Sequence, residues 1–520
     1  MGVVSMACGS SPAPADSPAG TEGPSTASTT AVHSADSTGT NEDETDTEPT
    51  DPPPETEWVT HQFEPAILDP FEETQPCVSW TLNNEQPLYV QGVTLSNNGG
   101  FHHSNGFVVP DTLYEGPDGV WNCNERGFST LQASTAGTVL FAQSTQSWVE
   151  EQRFNDGAVV KIPAGYKVVA ELHLLNLTAH ETEASLRASL ELLHPRDVDV
   201  VLTPFAIQYT DLQLPPMTES RVTAECDQFG SKVQVGGTPF EFHWILPHYH
   251  YLGNYFRLDL LGGSRDGELL HEISGFNASP VGLRLDPPVP LGDALGIRLT
   301  CGFDNWTDQT IHYGVGINEM CIAFGFADAG VISQAAADNG RVVGNDGGVL
   351  QFQSNCLTLT AAPLPEQGPP TQAEIDGDLY LPPVDPDDQG LPPVPECEDA
   401  SAGVAPAFEP TLSNLRAHVF PACGFSSCHG SGGQAGGLDL EATDLHAELL
   451  GHEVSNATAM PLVSAGSPDE SWLYQKMANC EPQDDAGSPV THMPLNAPFL
   501  LDPSLVAMVR EWIAAGAPDD

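Results

Sequence analysis

The sequence predicts a mostly β protein that ends in a small α-helical domain, and three observations lead to this fold class. From about Val59 onward, short apolar runs alternate with Gly, Pro, Asn and Asp, which is the pattern of strands separated by turns. Residues 363–395 are rich in Pro and Asp and offer little that could be buried. Beyond them, apolar residues recur at positions 505, 506, 509, 512 and 513, which is the spacing of one helix face.

Individual elements can be placed in order along the chain. Runs that begin at Gly137, Lys167 and Tyr255 predict strands, because β-branched and aromatic residues dominate them. Pro-punctuated residues 212–223 are expected to join two β domains, and residues 442–450 are expected to be helical. The last helix should start near Pro503 and end at Gly516. The predicted order is a signal remnant and disordered acidic tether, two β domains, a linker and an α domain, over residues 1–58, 59–210, 211–362, 363–400 and 401–520.

Charge excludes some classes of partner. The chain has 520 residues with 71 Asp and Glu against 16 Lys and Arg, so its formal net charge at pH 7 is −55. Such a charge repels phosphate backbones and anionic lipid surfaces, and nucleic acid is therefore excluded as a partner. No apolar run reaches the roughly 18 residues of a membrane-spanning helix. Residues 9–57 contain 11 acidic residues and no Lys or Arg, so this segment should stay a solvated tether.

The cysteines indicate an oxidising compartment. Eleven of them are scattered through the chain, which is typical of exported proteins with disulfides. Cys8 follows Ser5, Met6 and Ala7, and this string resembles the end of a bacterial lipoprotein signal, in which the cysteine is lipidated. The seven residues before Cys8 hold neither a basic n-region nor a full apolar h-region, so an ordinary disordered N terminus is the alternative. The first interpretation predicts an exported bacterial protein, at the cell surface or in the periplasm, with a lipid anchor.

Histidines in the β region have the arrangement of metal ligands. His248 and His250 lie in a strand-like run, where residues two apart point to the same face and can chelate one ion. His173 lies on another predicted strand. His102 and His103 are adjacent, and neighbours on a regular strand point to opposite faces, so both reach one metal only from a bulge or a bend. Each histidine alone is more often a hydrogen-bonded core residue than a ligand.

In their order along the chain, these residues resemble the copper type II, ascorbate-dependent monooxygenases, the family of peptidylglycine- and dopamine-hydroxylating enzymes. The resemblance covers residues 62–359. It rests on the adjacent histidine pair, the strand histidine in Glu-Leu-His-Leu-Leu-Asn, the His-x-His followed by Leu252-Gly253, the triplet Glu319-Met320-Cys321 and a Trp-x-Cys-x-Glu at 121–125. Met320 carries a soft thioether, which suits Cu(I) better than Mg or Ca.

The resemblance implies a fold, an activity and two copper sites. The fold would be two jelly-roll-like β-sandwich domains with one copper on each. The activity would be hydroxylation of an unactivated C–H bond of a small-molecule substrate by O2 and a reductant, with one oxygen atom leaving as water. The electron-transfer copper would be held by His102, His103 and His173, and the oxygen-activating copper by His248, His250 and Met320. Implied disulfides are Cys77–Cys123, Cys301–Cys321 and Cys226–Cys356.

The sequence departs from the family where a peptide substrate would bind. The peptidylglycine enzyme holds the peptide carboxylate with an Arg, an Asn and a Tyr. Leu246, Ile322 and Phe324 stand at these positions here. Peptide amidation is therefore not expected, and the substrate should be apolar. The rival hypotheses are a non-catalytic copper carrier or redox protein and a surface adhesion protein that kept the ligands by descent.

The C-terminal segment contains a second cofactor motif. Cys423, Cys428 and His429 form a Cys-x4-Cys-His, and Met493 follows in a Met-Pro pair. Two thiols can attach a c-type haem, with the histidine on one side of the iron and a distant methionine on the other. This run resembles the cytochrome c-like domains of bacterial secreted enzymes, although the usual spacer is two residues. Alternatives are a disulfide between the two cysteines or with Cys480; Cys480 could also pair with Cys397.

Overall fold

Two β units and a helical C-terminal unit follow one another along the chain. The structure is a computed structural model. It describes residues 56–143, 148–227, 229, 240–250, 252–274, 282–307, 309–314, 318–383, 396–401, 403–425, 428–432, 434–454, 458–485, 487–495 and 500–520. The acidic tether and Cys8 lie outside the described residues.

The first β unit consists of two six-stranded sheets that face each other across one apolar core. One sheet has the order β1-β13-β5-β10-β14 with β9 beside β5, the other has the order β7-β4-β11-β6-β8 with β3 beside β11, and β2 pairs with β12. The strands are β1 Thr56–Gln62, β2 Ala66–Leu68, β3 Glu73–Thr74, β4 Cys77–Thr81, β5 Leu88–Asn97, β6 Phe101–Pro110, β7 Gly119–Trp121, β8 Thr138–Ala142, β9 Val149–Arg153, β10 Ala158–Ile162, β11 Tyr166–Leu175, β12 Thr182–Ala184, β13 Leu186–Leu193 and β14 Val200–Val201.

The second β unit is a single sheet of 11 strands that folds back on itself. Its order is β20-β19-β22-β17-β27-β25-β15-β24-β18-β21, with β26 beside β27, and β16 pairs separately with β23. The strands are β15 Thr203–Tyr209, β16 Gln213–Leu214, β17 Thr218–Cys226, β18 Glu241–His248, β19 Gly253–Leu261, β20 Leu269–Ser274, β21 Leu283–Pro290, β22 Gly296–Asn305, β23 Ile311–His312, β24 Ile322–Ala327, β25 Ile332–Ala337, β26 Arg341–Asp346 and β27 Val349–Ala361.

Most of the described helices lie in the C-terminal unit, where they enclose a core of their own. The helices of this unit are α3 Leu412–His418, α4 Leu445–Gly451, α5 Trp472–Ala478 and α6 Pro503–Ala514; two short helices precede them, α1 Thr130–Ala136 in the first β unit and α2 Gln372–Ile375 after the second. The predicted last helix is confirmed as α6, with Trp512 and Ile513 buried on its apolar face. Within the described ranges, no helix has both the length and the apolar character needed to cross a membrane.

The two β units share a packed interface. Trp244, Leu246 and Phe326 belong to the second unit but pack into the hydrophobic cluster of the first. The rings of Phe154 and Phe326 meet edge to face with centroids 4.9 Å apart across this boundary. The mostly β fold with sandwich-like sheets is confirmed, and side chains of the second unit complete part of the first unit's core.

The boundary between the β units differs from the predicted one. The sequence predicts that the first domain ends at residue 210 and therefore includes β15. In the structure, β15 pairs with β24 and β25 of the second unit. Phe205, Ile207 and Tyr209 are buried in the second core, and this burial decides where the strand belongs. The expected connecting segment 212–223 is also partly strand, because β17 begins at Thr218. The chain therefore crosses between the units at Leu202.

The first half of the predicted linker packs against the first β unit. The Tyr380 hydroxyl accepts a hydrogen bond from the backbone N–H of Glu85 at 3.0 Å. Lys161 Nζ lies 3.5 Å from Glu374 Oε1, and the Lys161 side chain is buried. Leu379 and Tyr380 contact the core of the unit. Residues 363–383 are thus a docked strap rather than a free linker, because a few apolar and charged groups find partners on the sandwich.

Four disulfides cross-link the described part of the chain. The structure pairs Cys77 with Cys123, Cys226 with Cys356 and Cys301 with Cys321, which are the pairs implied by the family resemblance. It also pairs Cys397 with Cys480, at the start of the C-terminal unit. The described cysteines outside these disulfides are Cys423 and Cys428.

Candidate metal centres

Three histidines of the first β unit come together where β6 and β11 pair. His173 on β11 is directly opposite His103 on β6, and the next residue, Leu174, is opposite Phe101. His102 is therefore the extra residue of a β-bulge, and both neighbouring histidines turn to the same site. Of the two irregularities predicted for the adjacent pair, a bulge or a bend, the structure has the bulge.

The geometry of this cluster suits one metal ion. All three side chains are buried, and one ring nitrogen from each lies within 4.8 Å of the others. His173 Nδ1 is 3.1 Å from His103 Nε2. Two imidazoles bound to one ion at about 2.0 Å, near a right angle, would have this separation. The other nitrogen of His173, Nε2, is 2.9 Å from Glu73 Oε1, and this carboxylate fixes the ring.

A second pair of histidines lies at the end of β18. The rings of His248 and His250 have centroids 5.1 Å apart, and both residues are buried. His250 Nδ1 lies 2.7 Å from the carbonyl oxygen of Asn318, so Nδ1 donates and the Nε2 lone pair remains available. The Nε2 atoms of both rings are buried without a hydrogen-bond partner. Such orphaned nitrogens on neighbouring rings are the donor set of a two-histidine metal site.

A buried carboxylate connects this pair to Met320. One oxygen of Glu319, Oε2, accepts from the backbone N–H of His250 at 2.8 Å and of Met320 at 3.2 Å. The other oxygen accepts from the backbone N–H of Leu252 at 2.6 Å. Burial raises the pKa of Glu319 to about 8, against the opposing effect of these three donors. Met320 itself is buried and packs with Ile322 and Tyr313. Ile322 is paired with His248 across β24 and β18.

Burial also keeps the histidine pair neutral, and a pH dependence follows. Desolvation lowers the pKa of His250 to about 4, and that of His248 well below its usual value. Between pH 4 and 6.5 the unfolded chain binds a proton at residue 250 that the folded chain does not, so stability is lost as the pH falls through this window. We expect metal-free protein to lose roughly 2 kcal/mol through His250 between pH 7 and pH 5.

Comparison with a His250→Gln variant measures this contribution. Thermal unfolding of both proteins at the two pH values should show a smaller acid loss in the variant, because glutamine does not titrate. An equal loss in both proteins would contradict a neutral, buried His250.

An apolar cavity of about 890 Å³, including its open mouth, lies between the two β units. Its floor follows the register of three neighbouring strands of the second unit. Ile322 on β24 is opposite His248 on β18 on one side and Gln208 on β15 on the other. Residues paired in this way project from the same face of the sheet. The opposite wall includes Asn105 on β6, two residues beyond His103. The cavity thus extends from His248 to the strand that bears the histidine cluster.

The C-terminal motif forms a compact loop. The backbone N–H of His429 donates to the carbonyl oxygen of Cys423 at 3.0 Å, which brings the ends of the motif together. His429 Nδ1 lies 2.7 Å from the carbonyl oxygen of Ala435, leaving Nε2 as the ligand atom. Burial, with smaller effects of His452 and Lys476, lowers the pKa of His429 to about 4. Met493 is half-buried, and its backbone N–H donates to the carbonyl oxygen of Lys476 on α5 at 2.7 Å.

This arrangement leaves the donors of a haem site intact. The alternative disulfides are not formed, because Cys480 pairs with Cys397 and the two motif cysteines are not joined to each other. Two thiols, an imidazole and a thioether are the kinds of group that hold a c-type haem.

Two partner residues of the sites had no role assigned from sequence. Glu73 orients His173 from the short strand β3, and Glu319 connects the backbone of the second site. For Glu319, the signal in the sequence is its place directly before Met320 in the family-like triplet. Nothing in the sequence distinguishes Glu73 from the other acidic residues. Among the described residues, His102, His103 and His173 form a cluster of three ligand-type side chains.

Comparisons with known proteins assign no family. No family model matches the chain, and no curated protein matches it. Among solved structures, the major capsid protein P2 of bacteriophage PM2 matches 53% of this chain and 97% of its own, with 9% identity and a TM-score of 0.24. The PBCV-1 protein VP54, fitted into a reconstruction of the virophage Sputnik, matches 54% and 96%, with 8% identity and a TM-score of 0.22. Similarity this low assigns no function.

Proposed function

We propose that this protein is a copper-dependent monooxygenase that hydroxylates a C–H bond of an apolar small molecule, using O2 and a reductant. The observation that supports it best is the position of His248, whose buried Nε2 has no partner, in the wall of an apolar cavity. The opposite wall comes from the strand that carries His102 and His103. A copper type II monooxygenase would need these two donor sets on either side of its substrate.

Each of the two proposed copper sites would have its own set of ligands and its own role. Copper supplies one-electron redox chemistry and, with two histidines and a methionine, an open position for O2. His102, His103 and His173 would hold the electron-transfer copper, with Glu73 fixing the His173 ring. His248, His250 and Met320 would hold the oxygen-activating copper.

Two further groups hold the residues of the His248–His250–Met320 site in position. The carbonyl oxygen of Asn318 selects the His250 tautomer, and the Glu319 carboxylate fixes the backbone on which His250 and Met320 stand. Apolar walls keep bulk water away from the reacting carbon. In the overall reaction, the substrate C–H bond becomes C–OH, the second oxygen atom becomes water, and the reductant supplies two electrons and the solution two protons.

Metal analysis and oxygen uptake test this proposal together. We expect two coppers per chain and ascorbate-dependent O2 consumption that increases with an apolar substrate. Two coppers without any substrate-dependent uptake, across a panel of apolar compounds, would favour the copper carrier instead. Absence of copper would contradict both functions.

We also propose that the C-terminal unit is a cytochrome c-like electron carrier that supplements or replaces ascorbate. Its support is the intact donor set of Cys423, Cys428, His429 and Met493. The unit packs against the first β unit, because Leu175 belongs to its hydrophobic cluster, only two residues after His173. This contact gives electrons a short way to the electron-transfer site. The four disulfides support an exported protein, and lipidation at Cys8 remains part of the proposal.

Substitution of both motif cysteines tests the haem. In the Cys423→Ala, Cys428→Ala protein, covalently bound haem should fall to background, because both thioether bonds are removed. The measurement is the Soret band and the haem stain after denaturing electrophoresis, from cells with a cytochrome c maturation system. The control is Cys397→Ala, Cys480→Ala, which removes a disulfide of the same unit and should keep the haem. A wild-type protein without a Soret band would overturn the proposal.

A further inference from the structure

Gln208 is a polar residue in an otherwise apolar part of the cavity. Its Oε1 accepts a hydrogen bond from the Tyr313 hydroxyl at 2.8 Å, and the residue is only 7% exposed. Because Tyr313 holds the oxygen, the amide hydrogens on Nε2 are directed elsewhere. None of the described residues accepts from them. The cavity wall therefore presents a fixed hydrogen-bond donor without a protein acceptor.

The strand register sets the distance of this donor from the metal site. Gln208, Ile322 and His248 stand side by side on β15, β24 and β18. Neighbouring strands are about 4.8 Å apart, so the backbone positions of Gln208 and His248 are separated by roughly 10 Å. Between them, the floor of the cavity is the apolar side chain of Ile322, with Phe324 in the next row.

The lining also determines which charge a ligand can carry. None of the described residues that line the cavity is Asp, Glu, Lys or Arg. A carboxylate or an ammonium group would lose its hydration here without gaining a countercharge, which is costly. A neutral acceptor would instead satisfy the Gln208 donor at little desolvation cost.

We propose that Gln208 determines specificity for an uncharged, mostly apolar molecule with one hydrogen-bond acceptor, such as a ketone, ester or ether. The acceptor binds Gln208 Nε2, and the apolar body lies along Ile322 toward His248. The carbon nearest His248 is then several bonds away from the polar group. Hydroxylation of that carbon rests on the proposed function, whereas binding in the cavity does not.

Calorimetry on the metal-free full chain tests the binding with three matched probes: 4-phenyl-2-butanone, butylbenzene and 3-phenylpropanoate. We expect the ketone to bind more tightly than the hydrocarbon, and the carboxylate not to bind. Gln208→Leu should weaken the ketone by about tenfold, the value of one hydrogen bond, and change butylbenzene less than twofold. Gln334→Leu, an amide in the same wall on β25, is the matched control and should leave the ketone within twofold.

Two further results place the ligand and separate this inference from the copper chemistry. Ala206→Phe, which fills the cavity beside Phe324, should abolish ketone binding while copper binding stays unchanged. Unchanged ketone affinity in Gln208→Leu, equal loss in Gln334→Leu, binding of the carboxylate as tight as that of the ketone, or binding of none of the probes would each overturn the inference. Failure of the chain to bind copper would overturn the proposed function and leave the binding result standing.

Discussion

The His248→Ala protein is expected to bind one copper per chain instead of two and to lose substrate-dependent oxygen uptake. His248 provides one of the two buried, unpartnered Nε2 atoms of the His248–His250 pair and is the member of the pair that lines the cavity. Loss of a group that only supports a metal ligand costs about 10–100-fold in affinity or activity, so loss of a ligand should exceed about a hundredfold. Copper analysis of dialysed protein and an oxygen electrode provide the two measurements.

Two companion variants make the result specific. His173→Ala should also bind one copper, but it should retain the copper at the His248 site, with a different spectrum from that of His248→Ala. His312→Ala removes an exposed histidine a few residues before Met320 and should keep both coppers and full activity. Two coppers in His248→Ala, or loss of both in His173→Ala, would contradict two independent sites.

Removal of the Cys226–Cys356 disulfide is expected to destabilise the second β unit by about 5 kcal/mol, more than any other single cross-link in that unit. The bond closes a loop of 130 residues, and restricting such a loop removes much entropy from the unfolded chain. The Cys301–Cys321 bond closes 20 residues and should contribute about 3 kcal/mol by the same relation. Alanine rather than serine should replace each cysteine, because these positions are buried.

Denaturant unfolding, followed by the fluorescence of buried Trp244, measures the loss in the free energy of unfolding for each of the two disulfide variants. The short-loop variant carries a second signature: Cys321 follows Met320 directly, so its loss should also weaken copper binding at the His248 site. The long-loop variant should retain that site under native conditions. A larger loss of stability from the 20-residue loop than from the 130-residue loop would contradict the entropic origin of the effect. The Cys397→Ala, Cys480→Ala variant serves as control, because it lies outside the second unit.

Local patterns in the sequence were sufficient for several features. His102 and His103 could turn to one side only from a bulge or a bend, and the structure contains the bulge, because neighbours on a regular strand point to opposite faces. The rings of His248 and His250 also lie together, but β18 ends at His248 and contacts with Asn318 and Glu319 hold His250 beyond the strand, so strand alternation does not account for this pair. The apolar stripe before Gly516 gave α6, since its buried face follows the helical period.

Features that depend on distant pairing could not be predicted in this way. β15 has an ordinary strand sequence, and only its partners β24 and β25 assign it to the second unit. Residues 363–383 have the composition of a linker, yet Lys161 and Glu85 supply partners from positions far away in the chain. Glu73 is one acidic residue among 71 Asp and Glu, and only the fold brings it to His173.

The packing of Trp244, Leu246 and Phe326 into the first core has a mechanical consequence. Two domains joined by a polar contact can rotate relative to each other about a hinge. Close-packed side chains shared between the two β units resist this rotation. The gap between His248 and the strand of His102 and His103 should therefore keep the same width with and without a ligand. Electrons would have to cross a fixed span, and reactants would have to diffuse through a permanent opening. The binding cavity would then be preformed, and the shape of its entrance and walls would determine selectivity, rather than a closing movement of the two β units.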